Sequence, residues 1–169
     1  ESLSLRKLRL KYMNTRNFNK HTLIVVDDHE IVRAGIISLL QKVPNIQIIA
    51  EASSGEEAIK LTQIHKPSLI LMDVRMPGIG GLQATINILR LHPNTKVIAL
   101  TVCNDDLFPT KLLQAGAHGY LTKNTSSKEL ELAIFQIAKG KRYISPEIAS
   151  KIALKHLSDQ GQAPFELLS

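Results

Sequence analysis

The sequence predicts an α/β fold, a doubly wound five-stranded parallel sheet with helices on both faces and a C-terminal linker helix. Short apolar runs of four or five residues alternate five times with amphipathic stretches at helical spacing. Leu69 to Met72 is too short for a helix, is bounded by Pro67 and Pro77-Gly78, and reads as a strand buried on both faces. Each run closes on polar residues, at Asp27-Asp28, Glu51, Asp73, Thr101 and Lys123, so one edge of the sheet should collect the chemistry.

Leu23 to Val26 is the first strand. Ile31, Val32, Ile36, Leu39 and Leu40 follow at helical spacing until Pro44-Asn45. Ile46 to Ala50 is the second strand, and Ser54 with Glu57 forms a capping box before Ala58, Ile59, Leu61 and Ile64. After the third strand, Pro77, Gly78, Gly80 and Gly81 force a loop, then Leu82, Ile86 and Leu89 lie on a third helix closed near His92-Pro93. Val97 to Leu100 is the fourth strand. Leu107, Leu112 and Leu113 mark a fourth helix ending at Gly116, with Pro109 tolerable only in its first turn. His118 to Leu121 is the fifth strand, and Ser127 caps a fifth helix, with Leu130, Ile134 and Ile137 inward, that Gly140 ends. Ser145-Pro146-Glu147 starts a last helix, which dissolves into a linker-like stretch from Ser158 to Pro164.

Charge separates the chain into unequal parts. Residues 1–20 hold six basic residues against Glu1, whereas the remaining 149 hold fifteen basic and fourteen acidic, so the net charge of +6 belongs mostly to the leader. Residues 1–20 therefore read as a disordered or non-natural extension rather than a nucleic-acid arm, and Met13 allows a later start. Residues 21–143 form the globular domain, and 144–169 form the linker helix and the beginning of something further. No apolar stretch approaches a membrane span, and no secretory signal is legible. A single cysteine, Cys103, excludes an internal disulfide and fits a cytoplasmic protein. There is neither a P-loop nor a Cys/His zinc cluster.

With strand order 2-1-3-4-5, the flavodoxin-like arrangement, the crevice lies between strands one and three and receives Asp27, Asp28 and Asp73. Taken alone, Asp73 reads as a turn former and Asp27-Asp28 as helix caps. Three carboxylates in one crevice repel, however, and a hard dication such as Mg²⁺ relieves the repulsion while keeping positions open for phosphate. Thr101 supplies a hydroxyl and Lys123 an ammonium across the crevice. That set suits electrostatic stabilisation of phosphoryl transfer to Asp73 as a nucleophile. His29 reads as a helix-start residue rather than a ligand.

Leu23-Ile-Val-Val-Asp-Asp-His-Glu, Leu71-Met-Asp-Val-Arg-Met-Pro-Gly, Ala99-Leu-Thr-Val and Ala115-Gly-Ala-His-Gly-Tyr-Leu-Thr-Lys resemble a two-component response-regulator receiver domain over about residues 22–143. Arg33-Ala-Gly, Val102-Cys103 and Gly140-Lys-Arg-Tyr-Ile-Ser-Pro-Glu-Ile-Ala further resemble the NarL/FixJ subfamily with LuxR-type output, and within it the GacA/UvrY/LetA group. The resemblance implies that Asp73 accepts phosphate from a histidine kinase or its phosphotransfer domain. It also implies that Asp27, Asp28, Asp73 and the backbone carbonyl of Arg75 serve Mg²⁺, Asp28 directly and Asp27 largely through water. Thr101 and Tyr120 match the family's switch pair, in which the hydroxyl moves to the phosphoryl group and the ring turns inward, controlling homodimerisation and output. Asn124 stands where many receivers place proline, so no cis-proline is implied there. Cys103, two residues past Thr101, sits where a side chain modulates water access; packing as a small hydrophobe outweighs a redox role. Phe165-Glu-Leu-Leu-Ser resembles the start of a helix-turn-helix domain, so DNA binding is expected only through residues beyond this chain.

Three other classes fit less well. A flavin binder wants a Ser/Thr/Gly-rich loop where Asp27-Asp28-His29 stands, and a haloacid-dehalogenase-type phosphatase wants a second Asp where Arg75 stands. A phosphate-independent receiver-like interaction module is the runner-up, and the intact Asp27, Asp28, Asp73, Thr101 and Lys123 set argues against it.

Overall fold

A computed structural model describes Leu3 and residues 20–102 and 108–166. Its elements run β1 (His21–Val26), α1 (Glu30–Leu40), β2 (Ile46–Ala52), α2 (Gly55–His65), β3 (Leu69–Asp73), α3 (Gly80–Leu91), β4 (Lys96–Thr101), α4 (Phe108–Gln114), β5 (Gly119–Thr122), α5 (Ser127–Ala138), β6 (Tyr143–Ile144) and α6 (Pro146–Glu166). The sheet is parallel throughout, in the order β2-β1-β3-β4-β5-β6.

Alternation along the strands explains the two-sided core. Leu23, Val25, Leu69, Leu71, Ile98, Leu100 and Leu121 point to one face, where α1 contributes Leu40 and α5 contributes Leu130, Ile134 and Ile137. Ile24, Val26, Ile70, Met72 and Val97 point to the other, against Ala58 of α2 and Ala84 and Ile88 of α3. All five residues of β3 are buried, because helices cover both of its faces. The register sets Val26 beside Met72 and Asp73 beside Leu100, so Asp27 follows β1 at the level where Asp73 ends β3.

Several boundaries depart from the sequence reading. The sheet has a sixth strand, Tyr143–Ile144, paired with Gly119–Tyr120. Two residues carry no periodicity, and only the open edge of β5 recruits them. The cap of α5 is Ser126, whose side chain accepts from the Glu129 amide at 3.2 Å, while Ser127 is the first helical residue. In the capping box before α2, Ser54 accepts from the Glu57 amide as expected, but the Glu57 carboxylate reaches the amide and hydroxyl of Ser53. Glu51 lies inside β2 instead of at its end.

The last helix does not dissolve at Ser158: α6 continues to Glu166. Ser158 donates to the Lys155 carbonyl at 2.7 Å, and Gln160 meets His156 at 3.1 Å, so local bonds one turn apart support a segment whose composition resembles a linker. Residues 165–166 stand in the last turn of α6, and 167–169 lie outside the described residues. So do Leu107, Cys103 and nearly all of the 1–20 extension. Pro109 is the second residue of α4, within its first turn.

Candidate functional site

The strand ends bring three charges into one pocket. Asp27 is fully buried, Asp73 is 2% exposed, and the Lys123 ammonium lies 3.0 Å from Asp27 Oδ2 and 3.2 Å from Asp73 Oδ2. Lys123 reaches this position because its own amide donates to the Thr101 carbonyl at 2.8 Å, prolonging the β4–β5 ladder by one residue. The ammonium sits at charge-contact distance from both oxygens, yet neither Oδ2 gains a well-aligned hydrogen bond. Asp28, a quarter exposed, turns Oδ1 into the same space without a hydrogen bond.

The backbone around the carboxylates is held firmly. Asp27 Oδ1 accepts from the His29 amide at 2.9 Å, and Asp73 Oδ1 accepts from the Arg75 amide at 3.3 Å, which keeps the Arg75 backbone at the pocket rim. Behind Asp27, Arg33 donates from Nη1 to the Asp27 carbonyl and from Nε to Glu51, both at 2.8 Å. The loop after Asp73 needs glycine: Gly78 and Gly80 adopt φ of 78° and 74°. At Gly81 a Cβ would collide with the Asp73 carbonyl. Glu56 of α2 accepts from the Ile79 amide at 3.1 Å and steadies that loop.

Burial is the main reason the Asp73 carboxyl is raised from 3.8 to about 6; the Asp27 charge adds to it, and Lys123 and the Arg75 amide oppose it. Burial works against the Lys123 charge, but its close contact with Asp27 and the nearby Asp73 and Asp27 charges together raise it above the usual lysine range. The pocket thus carries excess negative charge that one ammonium only partly offsets. Asp27, Asp28, His29 and Asp73 each offer one donor atom, and those atoms lie within 4.8 Å of one another, a set that could hold a metal ion. Buried oxygens without hydrogen bonds are what a dication in the pocket would satisfy, so the residues present fit Mg²⁺.

Of the expected site residues, Asp27, Asp28, Asp73 and Lys123 converge. Thr101, 4% exposed, donates instead to the Val102 carbonyl at 3.1 Å. Tyr120 is fully buried, its ring already inward among Val74, Ala99, Leu112 and Ile148. His29 does start α1, as its N-cap, but its Nδ1 also lies 3.1 Å from Asp28 Oδ1 and 3.4 Å from Asp27 Oδ1. The signal for that contact was its place directly after Asp27-Asp28. Arg33 and Glu56 were not foreseen, since their partners come from other elements.

A parallel sheet in this order, with paired acids after β1, an acid ending β3 and a lysine after β5, defines the receiver class. The chain belongs to the response regulator receiver domain family, whose profile matches residues 23–135. The response regulator GacA of Pseudomonas viridiflava is 52% identical over 147 residues, a match spanning 86% of this chain and 69% of that protein. The response regulator UvrY of Escherichia coli K12 is 43% identical over 147 residues, spanning 86% and 67%. Among solved structures, a LuxR-family two-component response regulator from Aurantimonas sp. SI85-9A1 superposes with a TM-score of 0.76 at 36% identity, covering 80% of this chain and 97% of that one. The putative NarL receiver domain of Mycobacterium tuberculosis gives a TM-score of 0.69 at 30% identity, covering 73% and 99%. The chain is therefore the receiver domain of a two-component response regulator, a signalling protein. No helix among the described residues is long and apolar enough to cross a membrane.

Proposed function

We propose that Asp73 is the phosphoacceptor of this receiver and that it takes its phosphoryl group from the phosphohistidine of a sensor kinase or its phosphotransfer domain. The observation that carries this reading is the Lys123 ammonium, held 3.2 Å from a nearly buried Asp73 oxygen and 3.0 Å from Asp27. An Asp73 oxygen attacks phosphorus, the P–N bond to the histidine breaks, and the electron pair returns to the imidazole. With a carboxyl at about 6, Asp73 is mostly ionised at neutral pH and available as the nucleophile. Lys123 then keeps its charge beside the acyl phosphate. Asp27, Asp28, Asp73 and the Arg75 carbonyl would hold Mg²⁺, which would supply positive charge to offset that of the phosphoryl oxygens.

The local bond of Thr101 and the buried ring of Tyr120 support a switch in which the Thr101 hydroxyl leaves Val102 for the phosphoryl oxygens. Reversing a mostly inactive population needs about 5.5 kcal/mol of differential stabilisation. Phosphorylation favours a homodimer and governs an output domain C-terminal to residue 169; by themselves these residues bind no specific operator. The setting is the cytoplasm.

Intact-mass spectrometry after incubation with a small-molecule phosphodonor and Mg²⁺ tests the reading. One phosphoryl gain, lost in Asp73→Asn and with chelator, is expected. A gain that persists in Asp73→Asn places the acceptor elsewhere.

A further inference from the structure

The loops that lead into the strands form the edge of the sheet opposite Asp73, and their charge is one-sided. Residues 41–45, 66–68, 92–95, 115–118 and 139–142 hold Lys42, Lys66, Lys139, Lys141 and Arg142 but no Asp or Glu. Lys20 precedes β1 and Lys96 opens β4, so along the sheet every strand except β5 begins beside a cation. All of them except Lys96 are exposed. Carboxylates gather at the other edge, Asp27, Asp28 and Asp73 at strand ends and Glu30, Glu56 and Glu129 in the first turns of helices. Among the described residues, Lys42, Lys66, Lys141 and Arg142 form no ion pair. Lys96 donates to the Ala138 carbonyl at 3.2 Å, which holds its ammonium at this edge. The field of the row is felt at His118, just before β5, which is held below 6.5 first by burial and then by Arg142 and Lys96.

Helices α1 to α5 end at the same edge and offset about half a charge each, which leaves the row of seven cations net positive. Strands about 4.8 Å apart spread that row over about 24 Å from β2 to β6. A small anion would meet one or two of these cations, whereas about seven base pairs of duplex would run past them all. Lys66, Lys96, His21 and His92 also line a cleft of about 560 Å³ with Ser68 and Asn94, a polar recess in which one phosphate can seat. We propose that this basic edge binds the phosphate backbone of duplex DNA, independently of base sequence. Loops form the edge and present no helix to a groove, so the contact positions the backbone without reading bases. A single strand would want aromatic platforms, and Phe135, exposed beside this edge, is covered by the Lys139 ammonium 4.1 Å from its ring centre. Because the surface lies opposite Asp73, the proposal stands or falls apart from the phosphoacceptor reading.

Cations beyond a helix C-terminus also complement its dipole, so the experiment must separate a binding row from local stabilisation. Fluorescence anisotropy follows two labelled duplexes of unrelated sequence, titrated with the full chain from about 50 to about 200 mM salt. One double variant removes edge charge, Lys66→Gln with Lys141→Gln; a second removes equal charge elsewhere, Lys60→Gln on α2 with Lys128→Gln in the first turn of α5. All four side chains are exposed and, among the described residues, unpaired, and the basic residues of 1–20 are common to every protein compared. The parent should bind both duplexes within about twofold of each other, steeply weakened by salt. The edge variant should bind at least about fivefold more weakly at the lower salt, with a salt slope shallower by about 1 per lysine. The second variant should stay within about twofold of the parent. Equal loss in the two variants, no loss in the edge variant, or no binding by the parent would overturn the proposal. So would binding to anionic phospholipid vesicles that exceeds binding to duplex at equal phosphate concentration.

Discussion

Replacing the proposed phosphoacceptor should make the metal-free domain more stable. In the folded chain the Asp73 carboxyl lies at about 6 against 3.8 for the free group, chiefly through burial and then through Asp27. Below pH 3.8 the group is protonated in both states and imposes no penalty. Between 3.8 and about 6 the unfolded chain ionises first, so stability falls as pH rises, and above about 6 the loss is complete. That displacement corresponds to about 3 kcal/mol. Asp73→Asn removes the penalty but also one of the two carboxylates that face Lys123, so the net gain at pH 8 should be about 1–3 kcal/mol, or several degrees in Tm. Urea unfolding of both proteins in chelator, from pH 4 to pH 8, measures it as the difference between them. Mg²⁺ should then stabilise the parent chain and leave Asp73→Asn nearly unmoved, narrowing or reversing the gap. A variant less stable than the parent at pH 8 in chelator, or a difference that does not grow between pH 4 and 6, would refute the assignment of Asp73 to a strained, charge-crowded site.

Gly81→Ala should cost about 2 kcal/mol or more and abolish phosphorylation, because its Cβ would displace the Asp73 backbone; normal phosphorylation kinetics in a folded variant would contradict that geometry. Ile148→Ala should destabilise by about 2–4 kcal/mol and loosen α6 over Tyr120, seen as faster amide exchange in α6; unchanged exchange would show that Ile148 does not anchor the helix. His118 is held below 6.5, first by burial and then by Arg142 and Lys96, so its contribution is present above that value and is lost as pH falls through the lowered one. In an Asp73→Asn background, His118→Gln should flatten this acid-side loss; an unchanged pH profile would remove His118 as its source.

Local chemistry makes much of this protein legible in its sequence. Leu23 to Val26 and Leu69 to Met72 are apolar on every residue, and only a strand covered on both faces satisfies that; parallel pairing with helical crossovers follows, and with it the convergence of Asp27, Asp28, Asp73, Thr101 and Lys123 on one edge. Caps, glycine turns and the first-turn proline of α4 are contacts within a few residues, so they too were readable, to within a residue for Ser126 and Ser127. What depended on residues distant in sequence was not. The pairing of Tyr143–Ile144 exists only because β5 offers a free edge, and the burial of Tyr120 depends on Leu112 and Ile148 arriving from two other helices. The bond from Thr101 to Val102, the reach of Arg33 to Asp27 and Glu51, and the Glu56 brace on the loop after Asp73 are choices of rotamer and register. Strand periodicity and handedness leave few topologies, so the linear pattern is enough to place these groups on one strand-end edge. Tertiary structure alone decided how close Lys123 and His29 come to the carboxylates and how far burial raises Asp73, because those quantities depend on distance and solvent exclusion, which a linear pattern does not contain.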